Sequence, residues 1–218
     1  MFKIFSPNML KTFEACQKKF YFRYVKNISM PVDDSIFEFG KNIHALASYY
    51  LRKENIDKLE KSLSAKELET WLYLKAISYF SYQVIGTEYE MFSKIGKYFC
   101  GGRLDALLKN NEEYYILDYK TGSVPKNAKY DFQTMIYMLA VSSFYKTNNI
   151  KFVFIDLKMT VFLLFSYKLA HVNRPTSVVP ACCLLDFLVR KDPGGYSDNT
   201  ELFSPPSARA HPALQVHV

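Results

Sequence analysis

Gly102-Arg103-Leu104-Asp105-Ala106-Leu107-Leu108-Lys109-Asn110-Asn111-Glu112-Glu113-Tyr114-Tyr115-Ile116-Leu117-Asp118-Tyr119-Lys120 is the stretch on which the reading of this chain turns. Residues 96–108 and 113–120 are rich in aromatic and aliphatic side chains, and the polar segment Lys109-Asn110-Asn111-Glu112 separates them, which predicts a β-hairpin. With Asn110-Asn111 as a two-residue turn, Lys109 opposes Glu112 and Asp105 opposes Ile116, so Asp118 falls diagonally from Asp105 on one face. Side chains alternate along a strand, and Lys120 therefore shares that face. Leu104, Ala106, Leu108, Tyr115, Leu117 and Tyr119 take the other, which is expected to be the core side. A slip of one residue in register would undo the arrangement.

Two aspartates held close among apolar neighbours repel each other and are costly to desolvate unless a cation compensates. A divalent ion supplies that compensation, and carboxylate oxygens with retained water suit magnesium or manganese. The lysine beside them can orient or activate a water that attacks phosphorus.

Outward from the hairpin, Ser6 and Pro7 form an N-cap and first helical position for a helix to about Glu14, with a second short helix to about Val25. Met30-Pro31-Val32-Asp33-Asp34 breaks the chain, and Asp34 or Ser35 can cap a helix from Ile36 to about Lys53. Gly40 and His44 are four apart on one face of that helix. A glycine in a helix interior costs about 1 kcal/mol relative to alanine, which points to a close backbone approach at Gly40. Helical spacing also runs from Ala65 to Tyr82, and Thr87 to Ile95 reads as the first sheet strand, with Glu88 and Glu90 on one face. A helix from about Tyr130 to Tyr145 carries Gln133 and Tyr137 four apart. Lys151 to Leu157 is a strand expected beside the catalytic pair, so the order suits a mixed sheet flanked by helices.

Gly40-Lys41-Asn42-Ile43-His44, then Gly102-x2-Asp105, then Asp118-x-Lys120-Thr121-Gly122, then Gln133-x3-Tyr137, preceded by Ser6-Pro7-x2-Leu10-x2-Phe13-x2-Cys16-x3-Phe20-x3-Tyr24, resemble in order and spacing the RecB-like branch of the PD-(D/E)xK nuclease superfamily. Each motif alone is weak, and five in order are specific. The resemblance runs from about Ser6 to about Lys158 and implies an α/β, restriction-endonuclease-like core with a mixed central sheet and an amino-terminal helical part. It implies that His44, Asp105 and Asp118 bind Mg2+ or Mn2+, that the Tyr119 carbonyl completes the set, and that Lys120 is the catalytic lysine beside Asp105 and Asp118. Gln133, Tyr137 and Arg103 are the expected DNA-binding positions, and some relatives have a helpful glutamate near Glu88. The implied activity is hydrolysis of DNA phosphodiesters leaving a 5′-phosphate, as an exonuclease in repair or recombination, on single strands or duplex ends, with room for a helicase or repair partner. The alternatives are a nuclease-fold DNA-binding module that has lost turnover and a CRISPR adaptation nuclease.

Some relatives hold an iron–sulfur cluster with one early and three late cysteines. Of Cys16, Cys100, Cys182 and Cys183, the first matches and the adjacent late pair does not, so no cluster is expected, and Cys16 is read as a small buried helix residue. C-x-x-C spacing is absent too, which gives no sign of zinc.

Composition agrees with a polyanionic partner. Net charge is +7, and residues 1–158 carry 23 Lys and Arg against 17 Asp and Glu, so the basic character belongs to the expected nuclease domain. Lys18, Lys19, Arg23 and Lys26 form one basic cluster, and Lys126 with Lys129 another. Of the 17 Tyr and 18 Phe, most are expected in the core, with some available to stack on unpaired bases. The amino terminus lacks a secretion-signal pattern, and the longest apolar run, Val161 to Phe165, is far short of the about 20 residues a membrane span needs, so a cytoplasmic protein without a membrane role is expected.

From about Met159 the text changes. Six of nine prolines and three of four histidines fall after it. Residues 159–191 read as an atypical extension of the fold, with a strand over 160–167, and 192–218 as a low-order tail. A truncated, recombined or frame-shifted carboxyl terminus would produce this pattern.

Overall fold

Ser6 Oγ accepts the Met9 N–H at 3.3 Å and Pro7 occupies the first position of helix α1 (Pro7–Ala15), which follows a short strand, β1 (Ile4–Phe5). The computed structural model describes residues 4–28, 31, 33–96, 98–125, 131–158 and 161–168. Cys16 is exposed rather than buried, because the chain leaves helical conformation there. Its Sγ accepts the Lys19 N–H and caps helix α2 (Gln17–Phe20), which runs into a π-helical turn, Tyr21–Val25. Asp33, one residue before the expected cap, accepts the Ser35 N–H at 3.0 Å and opens a 3-10 turn, Asp34–Phe37, that leads into α3 (Glu38–Leu51).

A short helix not anticipated from the sequence, α4 (Asp57–Lys61), is tied to α5 (Ala65–Lys75) through Glu60, which accepts from Trp71 Nε1 and Lys75 Nζ. The α5 helix ends before Tyr82 because Ile77 turns extended and is buried, and a 3-10 turn, Ser78–Ser81, follows. Ser64 and Glu67 form a capping box on α5, and Glu67 also accepts from Asn42 of α3 at 2.7 Å. The capping residue of one helix thus fixes the position of another.

Among the described residues six strands make one mixed sheet: β1, β2 (Gln83–Ile95), β3 (Tyr98–Asn110), β4 (Glu113–Lys120), β5 (Asn149–Asp156) and β6 (Val161–Lys168). Helix α6 (Phe132–Tyr145) crosses between the parallel pair β4 and β5. β2 covers one edge of β3 along nearly its whole length, so β4 and β1 share the other. Both faces are covered. Phe5, Leu10, Phe13, Leu107, Ile116, Ile136 and Phe152 pack on the α1 and α6 side, and Ile43, Leu46, Trp71, Leu74, Leu108, Leu117 and Val153 on the α3 and α5 side. A strand buried on both faces reads as a continuous apolar run, and Phe152, Val153, Phe154 and Ile155 are fully buried in sequence. This architecture is the restriction-endonuclease-like α/β fold.

The hairpin turn lies at Asn111-Glu112, one residue later than expected. Asn111 takes the left-handed region (φ 52), which asparagine tolerates, and Asn110 pairs with Glu113 and Leu107 with Ile116. Moving the turn by one residue shifts both strands together and preserves each residue's face, so Asp105 comes level with Asp118 instead of Ile116. A second departure concerns Leu104, expected beside Ala106 but packed instead with Leu107 and Ile116. The cause is Glu88, which has φ 50 and is missing with Asp105 from the β2–β3 ladder. That break reverses the alternation, and Tyr89 and Met91 beyond it pack in the α1 and α6 cluster.

β6 pairs with β5 from Asn149/Lys168 to Asp156/Val161, so the sheet reaches past residue 158. The expected tail, Cys182, Cys183, Lys126 and Lys129 lie outside the described residues. Among those described, no helix is long and apolar enough to cross a membrane.

Close packing of β2 on β3 makes a stability prediction. A Cβ at Gly101 would lie 2.1 Å from the Met91 carbonyl oxygen, while one at Gly122 meets nothing within 4 Å. Gly101→Ala is expected to cost about 1–3 kcal/mol or more in urea unfolding and Gly122→Ala under about 0.5 kcal/mol. Equal midpoints would refute this packing.

Candidate active site

β4 stays paired with β5 from Tyr114 to Lys120, but its ladder with β3 ends at Ala106/Leu117. β1 meets the same edge of β3 only at Phe99 and Cys100, which leaves a gap over residues 101–105. Backbone groups in such a gap need partners, and side chains supply them. Tyr137 Oη donates to the Arg103 carbonyl at 3.2 Å, and Asp105 Oδ2 accepts the Tyr119 N–H at 2.8 Å. Gly102 leaves room for the tyrosine, since a Cβ there would lie 3.0 Å from Tyr137 Oη.

The gap brings the expected residues together. Asp105 Oδ1 lies 3.4 Å from His44 Nδ1, and His44 Nε2 lies 3.1 Å from the Tyr119 carbonyl oxygen. Both neighbours are acceptors, so both ring nitrogens carry protons when both contacts are made. Gly40 permits the approach of α3, because a Cβ there would meet Thr121 Cγ2 at 2.9 Å. Ser48 Oγ of the same helix donates to Thr87 Oγ1 at 2.9 Å.

From the other side, α6 brings Gln133, whose Nε2 donates to Asp118 Oδ1 and whose Oε1 accepts from Lys120 Nζ at 2.9 Å. Asp131 caps this helix by accepting the Gln133 N–H at 3.0 Å and pairs with Lys11 of α1 at 2.6 Å. Gln133 is therefore a brace between the acid and the lysine. Tyr137 is buried, its hydroxyl taken up by the Arg103 carbonyl, so it holds the β3 backbone and offers no face to a nucleic acid. Arg103 is exposed and pairs with Glu88 at 2.8 Å.

Burial foremost, with the Asp105 charge next, pushes Asp118 up to about 7 against the pull of Lys120 and His44. Burial opposes a charge on His44, but the hydrogen bond and charge of Asp105, with Asp118 and the Tyr119 carbonyl, outweigh it and raise its pKa. Lys120 Nζ stands 2.7 Å from Asp118 Oδ2 as a buried ion pair. A carboxylate oxygen has two lone pairs, so a buried one that already faces a lysine can also face a metal cation. His44, Glu88 and Asp105 offer ligand atoms that all lie within 4.8 Å of one another. One nitrogen among several carboxylate oxygens fits a hard divalent ion such as Mg2+ or Mn2+.

Glu88 is the residue that strand alternation underrates. Its left-handed φ directs it toward His44 and Asp105, and no sequence signal announces that conformation for a glutamate. The site opens into a cleft of about 660 Å³ on the α3 side.

The chain belongs to the PD-(D/E)XK nuclease superfamily, whose family model matches residues 4–175. Among solved structures it is similar to the "Putative exonuclease" of Eubacterium rectale, with 9% identity, a TM-score of 0.46, and 85% of this chain and 78% of that one covered. It is also similar to SSO0001, with 13% identity, a TM-score of 0.32, and 71% and 76% covered. Both scores are too low to carry an argument, so the assignment rests on the family model. No curated protein matches.

Two stability measurements probe the site. Tyr137→Phe leaves the Arg103 carbonyl without its donor and is expected to destabilise by about 1–3 kcal/mol, checked by urea unfolding. Asp118→Asn removes a charge whose folded pKa lies above its unfolded one. Wild-type stability therefore falls as pH rises from about 4 to about 7, and the variant escapes this loss. In chelator the variant's advantage should grow across that window and level off above it, reaching on the order of 1–4 kcal/mol. An advantage independent of pH would contradict the buried charge.

Proposed function

We propose that this chain is a Mg2+- or Mn2+-dependent deoxyribonuclease that hydrolyses phosphodiester bonds as an exonuclease in DNA repair or recombination. The observation that carries the reading is the buried Asp118 carboxylate, paired with Lys120 at 2.7 Å and held by Gln133, at the point where β4 parts from β3 beside Asp105. His44, Asp105, Asp118 and the Tyr119 carbonyl would hold the ion, with Glu88 as a further ligand. When bound, the cation polarises a phosphoryl oxygen and lowers the pKa of a coordinated water.

The chain's own residues account for the rest. Gln133 fixes Asp118 and Lys120 relative to each other, so neither has to reorganise during reaction. Lys120 brings a positive charge to the negative charge that builds on phosphorus and can orient the attacking water. Asp105, held by the Tyr119 N–H and facing His44, keeps the second carboxylate in place. The resemblance to the superfamily implies that the 3′ oxygen is the leaving group, so that hydrolysis would leave a 5′-phosphate. A helicase or repair partner that delivers the strand belongs to the same reading.

Purified protein incubated with end-labelled single-stranded and duplex DNA is expected to release product with Mn2+ or Mg2+ and none in chelator. Asp118→Ala and Lys120→Ala should each lower the rate at least about 100-fold, the usual scale for losing one charge-stabilising group. Equal, negligible product from wild type and both variants would reject the enzyme and leave a DNA-binding module.

A further inference from the structure

The α3 helix does more than deliver His44. Phe37 at its N-cap, Lys41, His44, Ser48 and Arg52 at its C-cap follow helical spacing along one face, and all line the open cleft together with Tyr49. At 1.5 Å per residue the line from Phe37 to Arg52 spans roughly 22 Å, with His44 near its middle. Two aromatic side chains stand on this polar wall, Phe37 47% exposed and Tyr49 36% exposed.

The wall is rigid. Arg52 donates to Glu54 at 2.6 Å and to Ser48 Oγ at 3.0 Å, reaches Thr87 Oγ1 at 3.3 Å, and its guanidinium lies 4.9 Å from the centre of the Tyr49 ring. These contacts fix the cation and seat the tyrosine against it. Little ordering is left for a ligand to impose. Exposed rings beside a guanidinium and next to a candidate phosphate-handling centre match the chemistry of an unpaired nucleic-acid strand, whose bases stack on aromatic faces and whose phosphates seek cations. A duplex keeps its bases stacked on each other and has no face to offer.

We propose that Phe37 and Tyr49 are stacking platforms for unpaired DNA bases on either side of the metal centre, with the Arg52 guanidinium beside the backbone at the Tyr49 end. The two rings then select a frayed or single-stranded segment and hold it across His44. This inference rests on the nuclease reading for its substrate, but not for its test.

Binding of fluorescein-labelled single-stranded DNA and of a duplex closed at both ends by non-nucleotide linkers is measured by anisotropy in chelator. Phe37→Ala and Tyr49→Ala are each expected to weaken single-strand binding roughly 5- to 150-fold, the range for one stacked base, and to change duplex binding less than about twofold. Tyr49→Phe, which keeps the ring, should restore single-strand binding, and Leu72→Ala, at an exposed apolar position of α5, serves as the surface control. Unchanged single-strand affinity in both alanine variants, or an equal loss on the duplex, overturns the proposal. Because the rings are exposed, thermal unfolding should match wild type. If wild type cuts no DNA the enzyme reading fails, and the anisotropy series still decides the stacking site.

Discussion

β4 remains hydrogen-bonded to β5 along its length but leaves β3 after Leu117, and the opening between them holds Asp105 and Asp118 side by side. Two like charges with one of them buried favour driving the strands further apart or protonating one acid. Cations and donors around them offset that repulsion in part: Lys120 and Gln133 meet Asp118 from the α6 side, and His44 meets Asp105 from the α3 side. The same groups that relieve the repulsion form the candidate centre.

Each helix that touches the gap is held from a distance. α6 is capped by Asp131, itself paired with Lys11 of α1, so the amino-terminal helices reach the centre through Gln133. α3 is tied to α5 by Asn42 and Glu67 and to the sheet by Ser48 and Thr87. Close approach at Gly40 and Gly102 removes the space that a Cβ would need. Buried polar contacts of this kind specify one geometry more than they add stability, because each is offset by desolvation. A raised Asp118 marks the cost of keeping the site ready for a cation.

The hairpin, the α6 helix and the strand of four successive buried residues at Phe152 were legible because local pattern decides them: polar turn residues, helical spacing and an apolar run. Gly40 was legible for the same reason, a costly residue where a cheaper one would serve. Three features escaped. The turn moved to Asn111-Glu112 because several polar residues can turn, and strand pairing chose among them. Cys16 was exposed because it lies at the junction of two helices, where its sulfur caps α2 instead of packing in the core. The orientation of Glu88 was hidden because a left-handed glutamate has no local signature.

Residue types and spacing were sufficient to single out Asp105, Asp118 and Lys120 as candidates, with His44 added by the family resemblance, since charge chemistry and periodicity are local properties. Which of them meet, and through what, depended on long-range packing. The gap beyond Leu117, the reversal at Glu88, the use of Tyr137 as a backbone donor and the line of Phe37, Tyr49 and Arg52 along the cleft arise from contacts between residues far apart in the chain. Their energies depend on the neighbours that tertiary packing supplies, and a linear pattern carries no record of those neighbours.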